Sequence, residues 1–203
     1  AGERSKTLIA VSGDHGAPGF PHGKCNLYGF GTGVSLIVAG AGVKGGRVVD
    51  DMVTLPDLAP TFLEAGGVKP PAVMTGRSLW NVLQSDRQGQ VDPTRTWVVA
   101  GRERHVEVAR PDYSPYPQRV LRTLDHALIV NFKPERWPLG DPYRLDGKDE
   151  PSFAELAQTT FVTLPDDDAG PTKAWFVGAR KSPEWSALFE KFYGRRPMFE
   201  LYD

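Results

Sequence analysis

A single cysteine, Cys25, excludes an internal disulfide and leaves the redox compartment open. No apolar run is long enough to cross a bilayer, and the first residues lack the charged-then-apolar layout of a signal peptide. Neither sign of charge is in excess. With a net charge of -1, no nucleic acid and no membrane surface is expected as a partner. Internal repeats and low-complexity tracts are also absent. What remains is 203 residues, 40% hydrophobic and 24% charged, the make-up of one large globular domain or two small ones.

The rest of the chain is organised around Thr7-Leu8-Ile9-Ala10-Val11-Ser12-Gly13-Asp14-His15-Gly16. Leu8 to Val11 is a continuous apolar run with β-branched members, the pattern of a strand buried on both faces of a sheet. It stops at Gly13-Asp14-His15-Gly16, where two glycines let the backbone turn tightly and approach a ligand. An acid and an imidazole thus stand together at the carboxyl end of a strand, where open α/β sheets hold their ligands. Carboxylate oxygen and neutral imidazole nitrogen both bind divalent cations. The same dipeptide also suits an ordinary turn, with the Asp as a cap and the His packed.

Downstream come Gly23-Lys24-Cys25-Asn26-Leu27-Tyr28, the glycine-rich Gly29-Phe30-Gly31-Thr32-Gly33, and a second apolar run from Val34 to Ala39. Asp57-Leu58-Ala59-Pro60-Thr61-Phe62-Leu63-Glu64-Ala65-Gly66-Gly67 then opens on a capping acid and closes on glycine, as helices do. This order resembles the second half of the sulfatase family: strand, S/G-D-H/N-G, Lys, N-L-Y-x-x-G-T, strand, and D-L-x-P-T followed by a helix. The resemblance is to the sulfamidase-like (heparan N-sulfatase) branch. It continues through Arg104-His105, Tyr116-Pro117-Gln118-Arg119, the hairpin Arg122 to Phe132, and the closing Glu200-Leu201-Tyr202-Asp203.

The resemblance implies an α/β fold: part of an alkaline-phosphatase-like sheet with flanking helices over residues 1–91. A small antiparallel subdomain with a packed helix is expected to follow over residues 92–203. The polar stretch Ser85 to Pro93 supplies the boundary. Taken in order, 17–23 and 40–46 read as loops and Arg47 to Thr54 as a short strand. Gly76 to Leu83 reads as a helix with Leu79, Val82 and Leu83 on one face. In the second part, Thr96 to Ala100 is a strand, and Arg119 to Thr123 pairs with Ala127 to Phe132 around the turn residues Leu124-Asp125-His126. Pro134 to Pro151 is expected to be a surface excursion, Ser152 to Gln158 a short helix, and Trp175 to Ala179 a last strand. Pro183 to Tyr193 reads as a helix whose Trp185, Leu188, Phe189 and Phe192 face the core. Pro165-Asp166-Asp167-Asp168-Ala169-Gly170-Pro171 reads as a solvated loop, since it lacks the ligand spacing and terminal Glu of a calcium-binding loop.

The chemistry follows from the resemblance. Sulfatases hold one Ca²⁺ with an upstream acid pair and a downstream Asp-Asn or Asp-His pair, and Asp14 and His15 fall on the downstream pair. Lys24 falls on the basic residue that contacts the transferring sulfate, where its charge would stabilise the sulfuryl oxygens. His105 matches a histidine facing the substrate pocket, able to protonate a leaving group or bind substrate. Arg104 beside it suits a sulfate or carboxylate of a sugar, or a salt bridge to Glu103 or Glu107. His22 and His126 are assigned to a loop and a turn. Gly33 and Ser35 stand where the family often has Arg and Pro.

Cys25 is not the nucleophile. The family oxidises Cys or Ser within C/S-x-P/A-x-R to formylglycine, and Cys25 is followed by Asn26-Leu27-Tyr28-Gly29, with neither the Pro nor the Arg. Ser114 fails the same pattern. The formylglycine and the upstream acids are therefore expected in an N-terminal part of the same protein, which would partner this chain. Both chain ends are expected to be cut. The implied activity is hydrolysis of sulfated carbohydrate in a secreted or periplasmic protein. A phosphate or phosphonate ester hydrolase of the same superfamily, and a non-catalytic module, stay open.

Overall fold

A computed structural model describes residues 2–203. In chain order they form β1 (Leu8–Ser12), α1 (Gly29–Thr32), β2 (Leu36–Gly40), α2 (Leu58–Ala65) and α3 (Trp80–Gln84). Then follow β3 (Trp97–Arg102), β4 (Gln118–Thr123), β5 (Ala127–Asn131), α4 (Phe153–Gln158), α5 (Pro171–Ala179), α6 (Ser186–Tyr193) and β6 (Phe199–Tyr202). Two compact units divide the chain. The first takes residues 1–14, 35–98 and 122–125, and the second takes 15–34, 99–121 and 126–203.

In the first unit β1 and β2 pair antiparallel, with Leu8 opposite Gly40 and Ser12 opposite Leu36. Burial on both faces does not hold for this pair: Val11 is 59% exposed and Ile37 63%. Two strands alone cannot cover two apolar faces, so these side chains meet water. Residues 47–54 form no strand and hold only an isolated bridge between Val49 and Gly89. The reason is a long-range one: Asp51 turns inward and accepts the backbone N–H groups of Val91 and Asp92.

Asp57 does more than cap. With Thr54 it completes a capping box on the 3₁₀ turn Leu55–Asp57 that leads into α2. Its buried carboxylate also accepts the Arg77 N–H at 2.7 Å and pairs with Arg95 at 2.9 Å. Arg95 in turn donates to the carbonyls of Arg77 and Ser78, just ahead of α3. The Thr61 hydroxyl accepts the Leu79 N–H at 2.8 Å. The helix expected over 76–83 starts only at Trp80; Leu79 and Val82 are buried, and Leu83 is half-buried.

The second unit is built on a four-stranded sheet in the order β3-β4-β5-β6. The β4–β5 hairpin lies where the sequence places it. β6 runs antiparallel to β5, with Ile129 opposite Glu200. Alternation puts Val120, Ala127 and Ile129 on the inner face against Leu27. A separate helical core joins Leu156 of α4, Ala174 and Val177 of α5, and Phe189 and Tyr193 of α6.

Three expectations fail in this unit. Residues 175–179 are helix rather than strand. Pro171 starts α5, and Lys173, Ala174 and Val177 recur on its buried stripe at helical spacing. The segment 134–151 is not only a surface excursion, because Leu139 within it is wholly buried in the helical core. Residues 165–167 are buried rather than solvated, for reasons that concern the site.

Candidate functional site

Lys24 sits on a loop made possible by close backbone approaches. A Cβ on Gly31 would lie 2.3 Å from the Asn26 carbonyl oxygen and 2.4 Å from that of Gly23, so only glycine fits. The loop turns through Cys25 at φ 65°, and the Lys24 N–H donates to the Ala17 carbonyl at 3.0 Å. Asn26 anchors it, donating to the Lys24 carbonyl and accepting from the buried Arg196 at 2.9 Å. Beside it the Tyr28 hydroxyl donates to Glu200 at 2.8 Å, and the Arg196 guanidinium lies over the Tyr28 ring at 4.8 Å. The Asn-Leu-Tyr and closing Glu-Leu-Tyr motifs, far apart in sequence, thus meet.

Lys24 Nζ forms an ion pair with Asp168 Oδ2 at 2.8 Å, both side chains about a quarter exposed. Asp166 Oδ1 accepts the Val106 N–H at 2.8 Å, which fixes the backbone that carries His105. The Arg110 guanidinium lies 3.9 Å from the other Asp166 oxygen. Arg102 donates to the Pro138 carbonyl at 2.7 Å and to the Cys25 sulfur at 3.4 Å. Arg102 and Arg110 both lie against the Tyr116 ring, at 5.3 and 5.6 Å from its centre.

His105 shares this field. The residue is exposed at the surface, yet the partial desolvation of its imidazole holds it below the usual histidine range; Asp166 and Asp168 pull it back up, while Lys24 and Arg102 push it further down. The cluster therefore combines cationic groups suited to an oxyanion with an imidazole able to hold or release a proton. Burial pushes the Cys25 thiol up to about 12, and it donates to the Asp166 carbonyl at 3.0 Å. At neutral pH it stays a thiol, with no nucleophilic character.

Arg104 is exposed, and the Glu103 considered as its partner pairs with Arg119 instead. Asp14 and His15 follow β1, Asp14 closing the first unit's opening segment and His15 beginning the second. His15 Nδ1 lies 2.8 Å from the Gly16 carbonyl oxygen. A carbonyl only accepts, so Nδ1 is the donor of that contact, and Nε2 is the nitrogen by which His15 would ligate a metal. Among the described residues no three His, Cys, Asp or Glu side chains gather to hold a metal ion. Asp14 and His15 are two donors, short of a Ca²⁺ shell of six to eight oxygens.

Arg102 and Lys173 were not singled out by sequence, and Asp166 and Asp168 were read only as part of a solvated loop. A signal existed: Lys173 falls on the apolar stripe of α5, five residues after three consecutive acids. A lysine on a buried stripe requires buried acceptors nearby.

Asp167 carries its own expectation. Burial raises its carboxyl from 3.8 to about 6, against the favourable Tyr193 hydroxyl bond at 2.8 Å. Its contribution to stability is full below about pH 3.8 and is lost as pH rises through about 6. Asp167→Asn keeps an acceptor for Tyr193 and removes the buried charge. It is expected to stabilise the protein by about 2 kcal/mol near neutral pH and by almost nothing near pH 4, read by denaturant unfolding. Equal destabilisation at both pH values would refute the assignment.

The fold is one that sulfatases share. A structure solved with D-glucosamine-2-N,6-O-disulfate as its substrate superposes over 94% of this chain and 34% of its own, at TM-score 0.54 and 24% identity. A candidate sulfatase of Bacteroides thetaiotaomicron superposes over 92% of this chain and 34% of its own, at TM-score 0.50 and 21% identity. No family model matches the chain.

In sequence the chain is a homologue of the sulfatases. It is 29% identical to human N-sulphoglucosamine sulphohydrolase in an alignment spanning 100% of this chain and 36% of that protein. It is 39% identical to an extracellular sulfatase homologue of Drosophila melanogaster, over 41% of this chain and 8% of that protein. Human arylsulfatase K is 35% identical over 36% of this chain and 14% of its own length. The chain thus spans about a third or less of the curated relatives it matches. Among the described residues no helix is long and apolar enough to cross a membrane.

Proposed function

We propose that this chain is the C-terminal portion of a hydrolase that cleaves sulfate esters or sulfamates of carbohydrates. The observation that carries this reading is the cluster joining Lys24, Asp168, Asp166 and His105. It lies within a chain that aligns from end to end with a sulfohydrolase. Lys24 and Arg104 bind the substrate's anionic groups, and His105 binds substrate and gives a proton to the departing sugar oxygen or nitrogen. Asp14 and His15 are two ligands of a divalent cation, Ca²⁺ by family likeness, whose other ligands lie outside the described residues. That ion would supply Lewis acidity at the sulfuryl group. The formylglycine nucleophile comes from a part of the protein outside this sequence. A secreted or periplasmic location, and a division into 1–91 and 92–203, belong to the same reading.

The test is made on the full-length protein with glucosamine bearing an N-sulfate or a 6-O-sulfate, beside an aryl sulfate and a phosphate monoester. Sulfate release from the sugars is the expected result. Turnover of phosphate alone would overturn it in favour of a phosphoesterase. His105→Ala is expected to slow the sugar sulfates strongly and spare the aryl sulfate, whose phenolate leaves without a proton. The active form of His105 is the protonated one, and its pKa is lowered. Wild-type activity on sugars should therefore fall as pH rises through a value below 6.5, and the variant should lose that limb. Equal losses on both substrate classes, or a change in KM alone, would make His105 a binding or structural residue.

A further inference from the structure

The second unit holds a buried charge that the proposed reaction does not use. Lys173 on α5 is wholly buried. Its Nζ donates to three backbone carbonyls, those of Thr160 at 3.0 Å, Leu164 at 3.1 Å and Asp167 at 2.6 Å. An ammonium has three N–H bonds, so all are used, and no orphan donor offsets the gain. Burial lowers Lys173 to about 8, which leaves it charged at neutral pH. The three acceptors belong to one segment, residues 160–167, which opens on the 3₁₀ turn Thr160–Val162 and continues as irregular backbone around a single positive charge.

That segment delivers the three acids to three different anchors. Asp166 accepts the Val106 N–H, Asp167 accepts the Tyr193 hydroxyl, and Asp168 pairs with Lys24. A further tie runs from the Ala169 N–H to the Thr160 hydroxyl at 3.0 Å, closing the loop on itself. Irregular backbone this deeply buried needs acceptors and donors matched throughout, and the Lys173 ammonium matches three of the carbonyls.

We propose that Asp168 is the positioning residue of Lys24, and that the Lys173 ammonium, through its three carbonyls, holds Asp168 in register for that task. With one N–H of Lys24 committed to Asp168, the directions of its other two are set, and these are the bonds available to a sulfuryl oxygen. A lysine on a four-carbon stem otherwise samples many rotamers, and fixing one removes that entropy from the binding step. The inference rests on the reading of Lys24 as a sulfate contact.

The experiment is a double-mutant cycle in the full-length protein, with a sulfated glucosamine as substrate. Asp168→Asn is expected to lower kcat/KM about tenfold with Lys24 present, and by less than about twofold in the Lys24→Ala background. Lys173→Met should match the loss of Asp168→Asn and add nothing to it in the combined variant. Because Lys173→Met strands three buried carbonyls, Lys173→Ala is assayed in parallel with and without methylammonium, sized for the vacated place. Rescue by the amine in Lys173→Ala, and none in Asp168→Asn, supports the proposal. Additive losses in the cycle, or a folded Lys173→Ala protein fully active without amine, overturn it. If the wild type hydrolyses no sulfated sugar, the functional reading fails and the cycle is read on thermal unfolding instead. Coupling between Asp168→Asn and Lys24→Ala in the midpoints then supports positioning, and additivity refutes it.

Discussion

Lys24→Ala is expected to lower kcat/KM by about a hundredfold or more on every sulfated substrate alike, sugar or aryl. The reason is what the substrates share. Each presents the same sulfuryl group, and a fixed ammonium beside it gains strength as charge builds on the oxygens during cleavage. The ion pair with Asp168 does not cancel this role. Asp168 takes one N–H of the ammonium, both side chains are about a quarter exposed, and the other two N–H bonds remain for an incoming oxyanion. Lys24→Arg should recover only part of the activity, since a planar fork does not reproduce a compact point charge held at 2.8 Å from Asp168. Selective loss on sugars, with aryl sulfate turnover intact, would move Lys24 from the sulfuryl group to the carbohydrate.

Asp14→Ala is expected to abolish both bound divalent cation and activity in the full-length protein. An anionic oxygen is the hard donor Ca²⁺ requires, and water in its place restores neither the charge nor the geometry. His15→Ala should cost less. Its Nδ1–H is committed to the Gly16 carbonyl, so Nε2 can ligate, but as a softer donor whose place water can fill. The check is metal content by atomic spectroscopy on purified wild type and both variants, alongside sulfate release. Unchanged metal content in Asp14→Ala would remove Asp14 from the ligand set.

Much of the frame was legible because local rules suffice for it. Ser152, three residues ahead of Glu155, is a capping box in the chain and in the structure, with the Glu155 N–H donating to the Ser152 hydroxyl at 3.2 Å. The hairpin around Leu124-Asp125-His126 and the helix ending at Tyr193 are likewise written in turn chemistry and periodicity. Where the reading failed, a long-range partner outweighed the local pattern. Residues 175–179 look like a strand by their aromatics, yet the Lys173 ammonium, bonded to carbonyls as far back as Thr160, belongs to a helix. Three acids in a row look solvated until Val106, Tyr193 and Lys24 are brought to them.

By itself the sequence determined the hairpin, the capped helices and the motifs that mark the sulfatase likeness, each of which depends on residues close together in the chain. Only the tertiary structure decided that Lys24 meets Asp168, 144 positions away, and that Asp166 braces the backbone beside His105. The physical reason is that buried charges find their compensation wherever folding brings an opposite charge or a dipole, and sequence separation does not enter that energy.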